Sequence, residues 1–112
     1  MKKVENVSSE ADHYYQKAIH SQHKEHPEKV LDYFNRAIAA HPGHAMAWNE
    51  KANCLDYLGK CEDALTCYDM AIRLDPELSE AWFNKGLTLK KMGRESEGKA
   101  CIDKGIEFAC GR

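Results

Sequence analysis

The sequence predicts an all-α protein built from three stacked helix-turn-helix repeats, an architecture known as an α-solenoid. The first observation is a period of 34 residues, with which Trp48 recurs as Trp82 and Gly59 recurs as Gly93. The second is that no stretch alternates apolar and polar residues with the period of two that a half-buried strand shows. A single pair of short helices cannot bury its apolar face alone, so the repeats are expected to stack and share a core.

The chain of 112 residues is predicted to contain one folded domain after a short leader. We expect the leader at 1–10 and the domain at 11–112, with repeats at about 11–44, 45–78 and 79–112.

The first repeat has the least regular turn. Ser8 or Ser9 is expected to cap its first helix, which should end near Gln22. The stretch 23–26 then lacks the glycine that the other two repeats carry in this place. Pro27 suits the first position of the second helix, where its missing N–H is not needed.

The second and third repeats have clearer boundaries. Each is predicted to contain two helices, at 45–58 and 61–74 and at 79–92 and 95–109. Gly59 and Gly93 supply the left-handed residue that commonly ends a helix. Ser79 is expected to cap the first helix of the third repeat.

The composition excludes several classes of protein. With 43% hydrophobic and 30% charged residues, the chain has the balance of a folded domain rather than a disordered one. Its net charge of −2 argues against a general nucleic-acid or anionic-membrane binder. The charge is uneven, because residues 45–78 carry a net charge of −4 and residues 79–112 carry +2.

The five cysteines are odd in number and form no CxxC pair. Cys67 and Cys101 lie one repeat apart, so we interpret them as small buried residues in a reducing compartment. The first ten residues contain no apolar core of a signal peptide, and the longest aliphatic run is 37–40, too short to span a membrane. A cytoplasmic location is expected.

In its combined pattern the chain resembles the tetratricopeptide repeat family. The second repeat carries the family pattern most fully, with Trp48, Ala52, Leu55, Ala64, Tyr68, Ala71 and Pro76. The third matches in its first half and departs in its second, at Gly98, Ile102, Gly105 and Cys110. The resemblance covers 11–112 and implies a right-handed superhelical array with one concave groove. It also implies a protein-interaction module that binds a peptide or protein segment in that groove.

The family's groove positions, carried onto this chain, fall on the first helix of each repeat. They are Tyr15, Ile19, Gln22 and His23, then Asn49, Glu50, Asn53 and Tyr57, then Phe83, Asn84, Leu87 and Lys90. Aromatic and amide side chains suit an extended peptide or a helix, through apolar contacts and backbone hydrogen bonds.

One branch of the family grips acidic chaperone C-termini with a clamp of Lys, Asn, Asn, Lys and Arg. The corresponding positions here are Tyr15, Ile19, Glu50, Glu80 and Asn84, and none matches. Starting one repeat later recovers Asn53 and Asn84 but not the basic residues. Since two carboxylates stand where a carboxylate ligand would bind, we expect no carboxylate-clamp function. We expect instead a ligand held mainly by apolar and amide contacts around Tyr15, Asn53 and Phe83.

Chemistry other than binding finds little support in the sequence. Histidines three residues apart, at His20, His23 and His26, share a helix face and could hold a metal, but no cysteine completes a zinc pattern. Surface and capping roles are the alternative for these side chains and for His41 and His44. Motifs of nucleotide, metalloprotease and serine-hydrolase sites are absent. We predict no enzyme, no cofactor and no metal site, with Cys61 the thiol best placed for reactivity, at a helix N-terminus.

A second function is kept open, that of a structural unit which assembles with itself through its terminal helices. Ile102, Ile106 and Phe108 lie on the last predicted helix, and terminal repeats usually need a polar outer face. Weak homo-oligomerisation through this helix is therefore expected under that alternative.

Overall fold

Six α-helices follow one another in the structure, joined by short turns. The structure is a computed structural model that describes residues 2–111, with side chains for residues 9–111. The helices are α1 (Lys2–Ser21), α2 (Pro27–Ala40), α3 (Ala45–Tyr57), α4 (Cys61–Leu74), α5 (Ser79–Lys91) and α6 (Glu95–Ala109). No strand occurs within residues 2–111. The predicted all-α repeat solenoid is confirmed, and α3 to α6 end within one residue of the predicted bounds.

The helices pack in chain order. The pairs α1–α2, α3–α4 and α5–α6 each form one repeat, while α2 packs on α3 and α4 packs on α5 to join the repeats. The first helices α3 and α5 also touch each other directly. This neighbour-on-neighbour order gives a long, flat molecule of 47 × 33 × 20 Å. The right-handed sense of the array stays a prediction.

Small residues set how closely the paired helices approach. Ala18 and Ala52 have no exposed surface in the first two pairs. In the third pair, a Cβ placed on Gly86 would lie 2.6 Å from the backbone oxygen of Gly98, so only glycine fits this crossing. Between these crossings lie the large core residues, of which Phe34 and Tyr68 are almost fully buried.

The two tryptophans connect the second and third repeats to the turns that precede them. The indole Nε1 of Trp48 donates to the carbonyl oxygen of Pro42 at 2.8 Å, and Trp82 makes the same bond to Pro76 at 2.8 Å. Trp48 and Trp82 are 34 residues apart, and so are Pro42 and Pro76. The same hydrogen bond therefore recurs with the period of the sequence. This explains why tryptophan and proline recur together in the pattern.

Two predicted helix caps are wrong. Helix α1 begins at Lys2 and runs through the expected leader, because residues 2–10 contain no proline or glycine that would stop it. Ser8 and Ser9 therefore lie inside the helix. The cap of α5 is Leu78, whose carbonyl accepts from the N–H of Ala81 at 3.1 Å, so Ser79 is already the first helical residue.

The turn of the first repeat differs from the other two. In the second repeat, Lys60 donates its N–H to Leu55 O at 2.8 Å, which closes a turn around Gly59 with φ 83°. In the first repeat α1 ends at Ser21, which corresponds to Leu55, two residues before the end of α3. The positive φ, 74°, falls on His23. The chain thus makes the reversal without glycine, at a residue type that tolerates this conformation better than most.

Candidate functional site

Two adjoining cavities lie along the first helices of the repeats. One, of about 400 Å³, is bounded by α3, α5 and α6. The other, of about 410 Å³, is bounded by the turn between α1 and α2, the start of α2, and α3. Glu50 and Asn53 line both, so the cavities meet at the middle of α3. We refer to the two cavities together as the groove.

Eight of the twelve predicted binding residues line the groove. They are Gln22, His23, Asn49, Glu50, Asn53, Tyr57, Phe83 and Asn84. The helical spacing of α3 and α5 therefore placed most of these side chains on one side of the molecule.

The other four predicted residues do not line it. Tyr15 packs edge-on against Phe34 with ring centroids 5.8 Å apart, and Ile19 packs on the same core cluster. These two apolar side chains pack against the core of the first repeat rather than lining either cavity. Leu87 and Lys90 are exposed on α5 but outside both cavities, and Lys90 pairs with Glu95 at 3.9 Å.

Sequence reasoning missed the contribution of the last helix. Gly105, Ile106 and Ala109 of α6 line one of the two cavities together with Ser79 and Glu80. A Cβ on Gly105 would lie 2.9 Å from the backbone nitrogen of Phe83, so α6 lies unusually close to α5 here. The departure from the family pattern at Gly105 was the available signal.

A polar chain crosses the floor of the groove from the first repeat to the core. Gln22 Nε2 donates to Glu50 Oε1 at 3.2 Å, and Asn53 Nδ2 donates to the same oxygen at 3.4 Å. The Tyr68 hydroxyl donates to Asn53 Oδ1 from below. Because the amide oxygen of Asn53 is held toward the core, its NH₂ group faces Glu50 and the groove.

A second amide pair joins the second and third repeats. Asn84 Nδ2 donates to Asn49 Oδ1 at 3.3 Å, and Asn49 is 1% exposed. A buried amide without a partner would cost about 1–3 kcal/mol, so this bond favours one arrangement of α3 against α5.

Asp56 lies about two turns further along α3 than Asn49 and also connects the two repeats. Its carboxylate accepts from Thr88 Oγ1 at 3.1 Å and from Lys91 Nζ at 2.8 Å. Cys61, the predicted reactive thiol, donates its Sγ–H to Asp56 Oδ1 at 3.7 Å. The thiol therefore has a local structural partner, and it lines neither cavity.

Large apolar side chains are exposed along the groove. Tyr57 is 79% exposed at one end, and Phe83 and Ile106 are 40% and 49% exposed at the other. Leu87, one turn beyond Phe83, continues this face of α5. Several exposed apolar side chains beside amides are typical of an interaction surface.

The groove is acidic. Glu50 and Glu80 line one cavity and Glu25 and Glu50 line the other, while no lysine or arginine is among the described residues that line either. Burial, together with the charges of Glu50 and Glu80, raises the pKa of Tyr15. Burial and the charge of Glu50 likewise raise the pKa of the Cys54 thiol to about 11.

Two histidines, His20 and His44, contact nearby backbone within their own segments. His44 Nδ1 accepts the N–H of Ala47 at 3.2 Å and caps α3, and His20 Nδ1 lies 2.9 Å from Gln16 O. Burial, then the neighbouring His41, lowers the pKa of His44, which favours the neutral ring that this cap requires. Within residues 9–111, no three metal-binding side chains come together. None of the described helices combines the length and apolar character needed to cross a membrane.

Comparison with known families gives two overlapping matches. A family described as "TPR repeat" matches residues 57–93, and one described as "Tetratricopeptide repeat" matches residues 79–109. An uncharacterized protein of Methanocaldococcus jannaschii is 41% identical over 64 residues, which cover 57% of this chain and 73% of that protein.

Solved structures share the architecture over most of the chain. The crystal structure of MamA superposes with a TM-score of 0.83 at 23% identity over 89% of this chain, which spans 58% of that protein. The second TPR of Spaghetti (RPAP3), bound to the HSP90 peptide SRMEEVD, gives 0.88 at 20% identity over 96% of this chain and 99% of that one. The Sgt2 TPR domain of Aspergillus fumigatus gives 0.84 at 24% identity over 89% and 66%. At these identities the likeness establishes the fold alone.

Proposed function

The chain belongs to the tetratricopeptide repeat family, and from this premise we propose that it is a protein-interaction module that binds a segment of another protein in the groove. The segment lies across α3, where the two cavities meet at Glu50 and Asn53. We propose no catalytic activity for the chain.

The observation that carries this proposal is the clustering of exposed apolar side chains with oriented amides. Tyr57, Phe83 and Ile106 offer apolar contact, and they line the same cavities as Asn53 and Asn84. An extended peptide needs both, because its side chains seek apolar pockets and its backbone seeks hydrogen-bond partners.

The ligand is not an acidic chaperone tail under this proposal. One structure of the same fold is of a complex with such a peptide, SRMEEVD, whose last four residues are Glu-Glu-Val-Asp. In the present chain the groove carries Glu50 and Glu80 and no described lysine or arginine, so a carboxylate ligand would be repelled.

A reducing environment suits the protein. All five cysteines are unpaired, and Cys54, Cys67 and Cys101 are buried. We therefore propose that it functions in the cytoplasm, where free thiols persist.

Selection from a library of short random displayed peptides tests the groove. Peptides that bind the wild-type chain should lose at least about tenfold in affinity on Phe83→Ala, since exposed aromatic anchors dominate such interfaces. Leu74→Ala is the matched control, because Leu74 is 41% exposed and lies outside both cavities. If Leu74→Ala weakens binding as much as Phe83→Ala, or if neither does, groove binding is wrong.

Self-assembly through α6 is the second candidate function, favoured by the exposure of Ile106. Phe108 offers less exposed apolar surface for self-assembly than the sequence predicted. Its ring centroid lies 6.3 Å from that of Trp82 and 5.6 Å from Lys104 Nζ. A sedimentation series that shows association at micromolar concentration, abolished by Ile106→Glu, would support this alternative; a monomer throughout would eliminate it.

A further inference from the structure

We propose that the groove selects a peptide segment with a lysine or arginine side chain beside an apolar one, the cation binding at Glu50 and the apolar side chain at Phe83. This inference depends on the proposed function, since it concerns the ligand of the same groove. It names the chemistry of that ligand as cationic and amphipathic.

The negative charges of the groove are not neutralised by the protein. Among residues 9–111, neither Glu50 nor Glu80 forms an ion pair, whereas Glu25 at the rim pairs with Lys29 at 3.3 Å. Two carboxylates therefore line the cavity that also contains Phe83 and Ile106.

The basic residues on the same helices are occupied elsewhere. Lys51 Nζ lies over the Trp48 ring at 5.3 Å, Lys85 pairs with Asp69 at 2.7 Å, and Lys91 pairs with Asp56 at 2.8 Å. None of these lysines lines the groove. The chain thus separates its charges by face, and the groove is left with a negative potential that attracts cations.

Glu50 is the best placed of the groove carboxylates. It is half-buried at the junction of the two cavities, and both of its protein donors, Gln22 and Asn53, bond to Oε1. In the part of the chain with described side chains, Oε2 has no donor. Neutral amide donors hold the carboxylate in place without cancelling its charge, so Oε2 can accept from an ammonium or guanidinium group.

Apolar contact on both sides of Glu50 restricts the ligand further. Phe83 lies toward the α6 end and Tyr57 toward the α2 end. A purely basic segment would leave these exposed rings uncovered, while a segment that alternates cation and apolar side chain satisfies both features.

The test uses peptides selected from the same library of displayed random peptides, N-acetylated when resynthesised so that a terminal amine cannot supply the charge. Peptides whose binding is lost on Phe83→Ala should contain more lysine or arginine than the starting library. The affinity of the protein for these peptides should fall at least about tenfold on Glu50→Gln. Glutamine keeps the acceptor for Gln22 and Asn53, so folding is preserved. Glu62→Gln, on the exposed first turn of α4, is the matched control and should change the affinity less than about twofold.

The outcomes separate the two proposals. Peptides that depend on Phe83 but are neutral or acidic, or that bind Glu50→Gln as tightly as wild type, would overturn the cationic ligand and leave groove binding intact. If no selected peptide depends on Phe83, both proposals fail. The inference is supported if the selected peptides are enriched in basic residues and lose affinity for the Glu50→Gln variant but not for the Glu62→Gln variant.

Discussion

His23 is the one residue other than glycine with a positive φ among residues 2–111, at 74°. Gly59 and Gly93 hold the corresponding turns of the other repeats, at 83° and 85°. A Cβ in this conformation costs roughly 1–2 kcal/mol, so the first turn stores strain that the other two avoid.

Replacing that residue tests the strain directly. His23→Gly should raise the free energy of unfolding by about 1 kcal/mol, because part of the relief is offset by the freedom of glycine in the unfolded chain. Urea denaturation measures the change. Gly59→Ala is the control of opposite sign: nothing lies within 4 Å of the added Cβ, so any loss is a backbone effect. A destabilised His23→Gly variant would contradict this account.

At the scale of the helix, the sequence predicted boundaries well where a residue ends the helix by its own chemistry. Gly59, Gly93 and Pro27 are such signals, and the helices beside them begin and end within one residue of expectation. The start of α1 has no breaker, so a cap chosen from the serines was wrong. Helix starts that depend on weak preferences cannot be read from local sequence alone.

The closeness of α5 and α6 lies beyond local sequence, because it depends on how two surfaces fit. Gly86 and Gly98 face each other, and a Cβ on either would lie under 3.0 Å from the backbone of the opposite helix. Ile106 and Ala109 of α6 line the groove, where Gly105 also allows close packing on α5. Predicting that these α6 residues line the groove required the distance between α5 and α6, which cannot be read from the local sequence.

Gly86→Ala tests this packing by the sign of its effect. In an ordinary helix interior, glycine to alanine stabilises by about 0.5–1 kcal/mol. Here the added carbon meets Gly98 O at 2.6 Å, so we expect a loss of about 2 kcal/mol instead. Ser96→Ala, at an exposed position of α6, should stay within about 0.5 kcal/mol. Chemical denaturation that shows a stabilised Gly86→Ala would mean that the helices separate freely.

Over the whole molecule, the groove joins the three repeats through amides and carboxylates. Gln22 reaches Glu50 from the first repeat, and Asn84 reaches Asn49 from the third. The family resemblance predicted these positions, because it implied which residues on the first helix of each repeat line the groove. It did not predict that Tyr15 and Ile19 would pack on the core instead, because that choice depends on the apolar neighbours brought to them by α2.

The negative charge of the groove predicts that acidic peptides do not bind there. Calorimetric titration with an acidic C-terminal heptapeptide, SRMEEVD, should show no specific binding, because Glu50 and Glu80 repel its carboxylates. Micromolar binding that disappears on amidating the peptide C-terminus would show a carboxylate clamp and contradict this prediction.

Side-chain amide resonances report most directly whether the ligand lies in the groove. In a nitrogen–proton NMR titration with a selected peptide, the NH₂ signals of Gln22, Asn53 and Asn84 should shift, since these groups line the cavities. The NH₂ signal of Asn35, exposed on α2 and outside both cavities, should stay unchanged. A titration in which Asn35 shifts while Asn53 and Asn84 do not would place the ligand on another face and contradict the account.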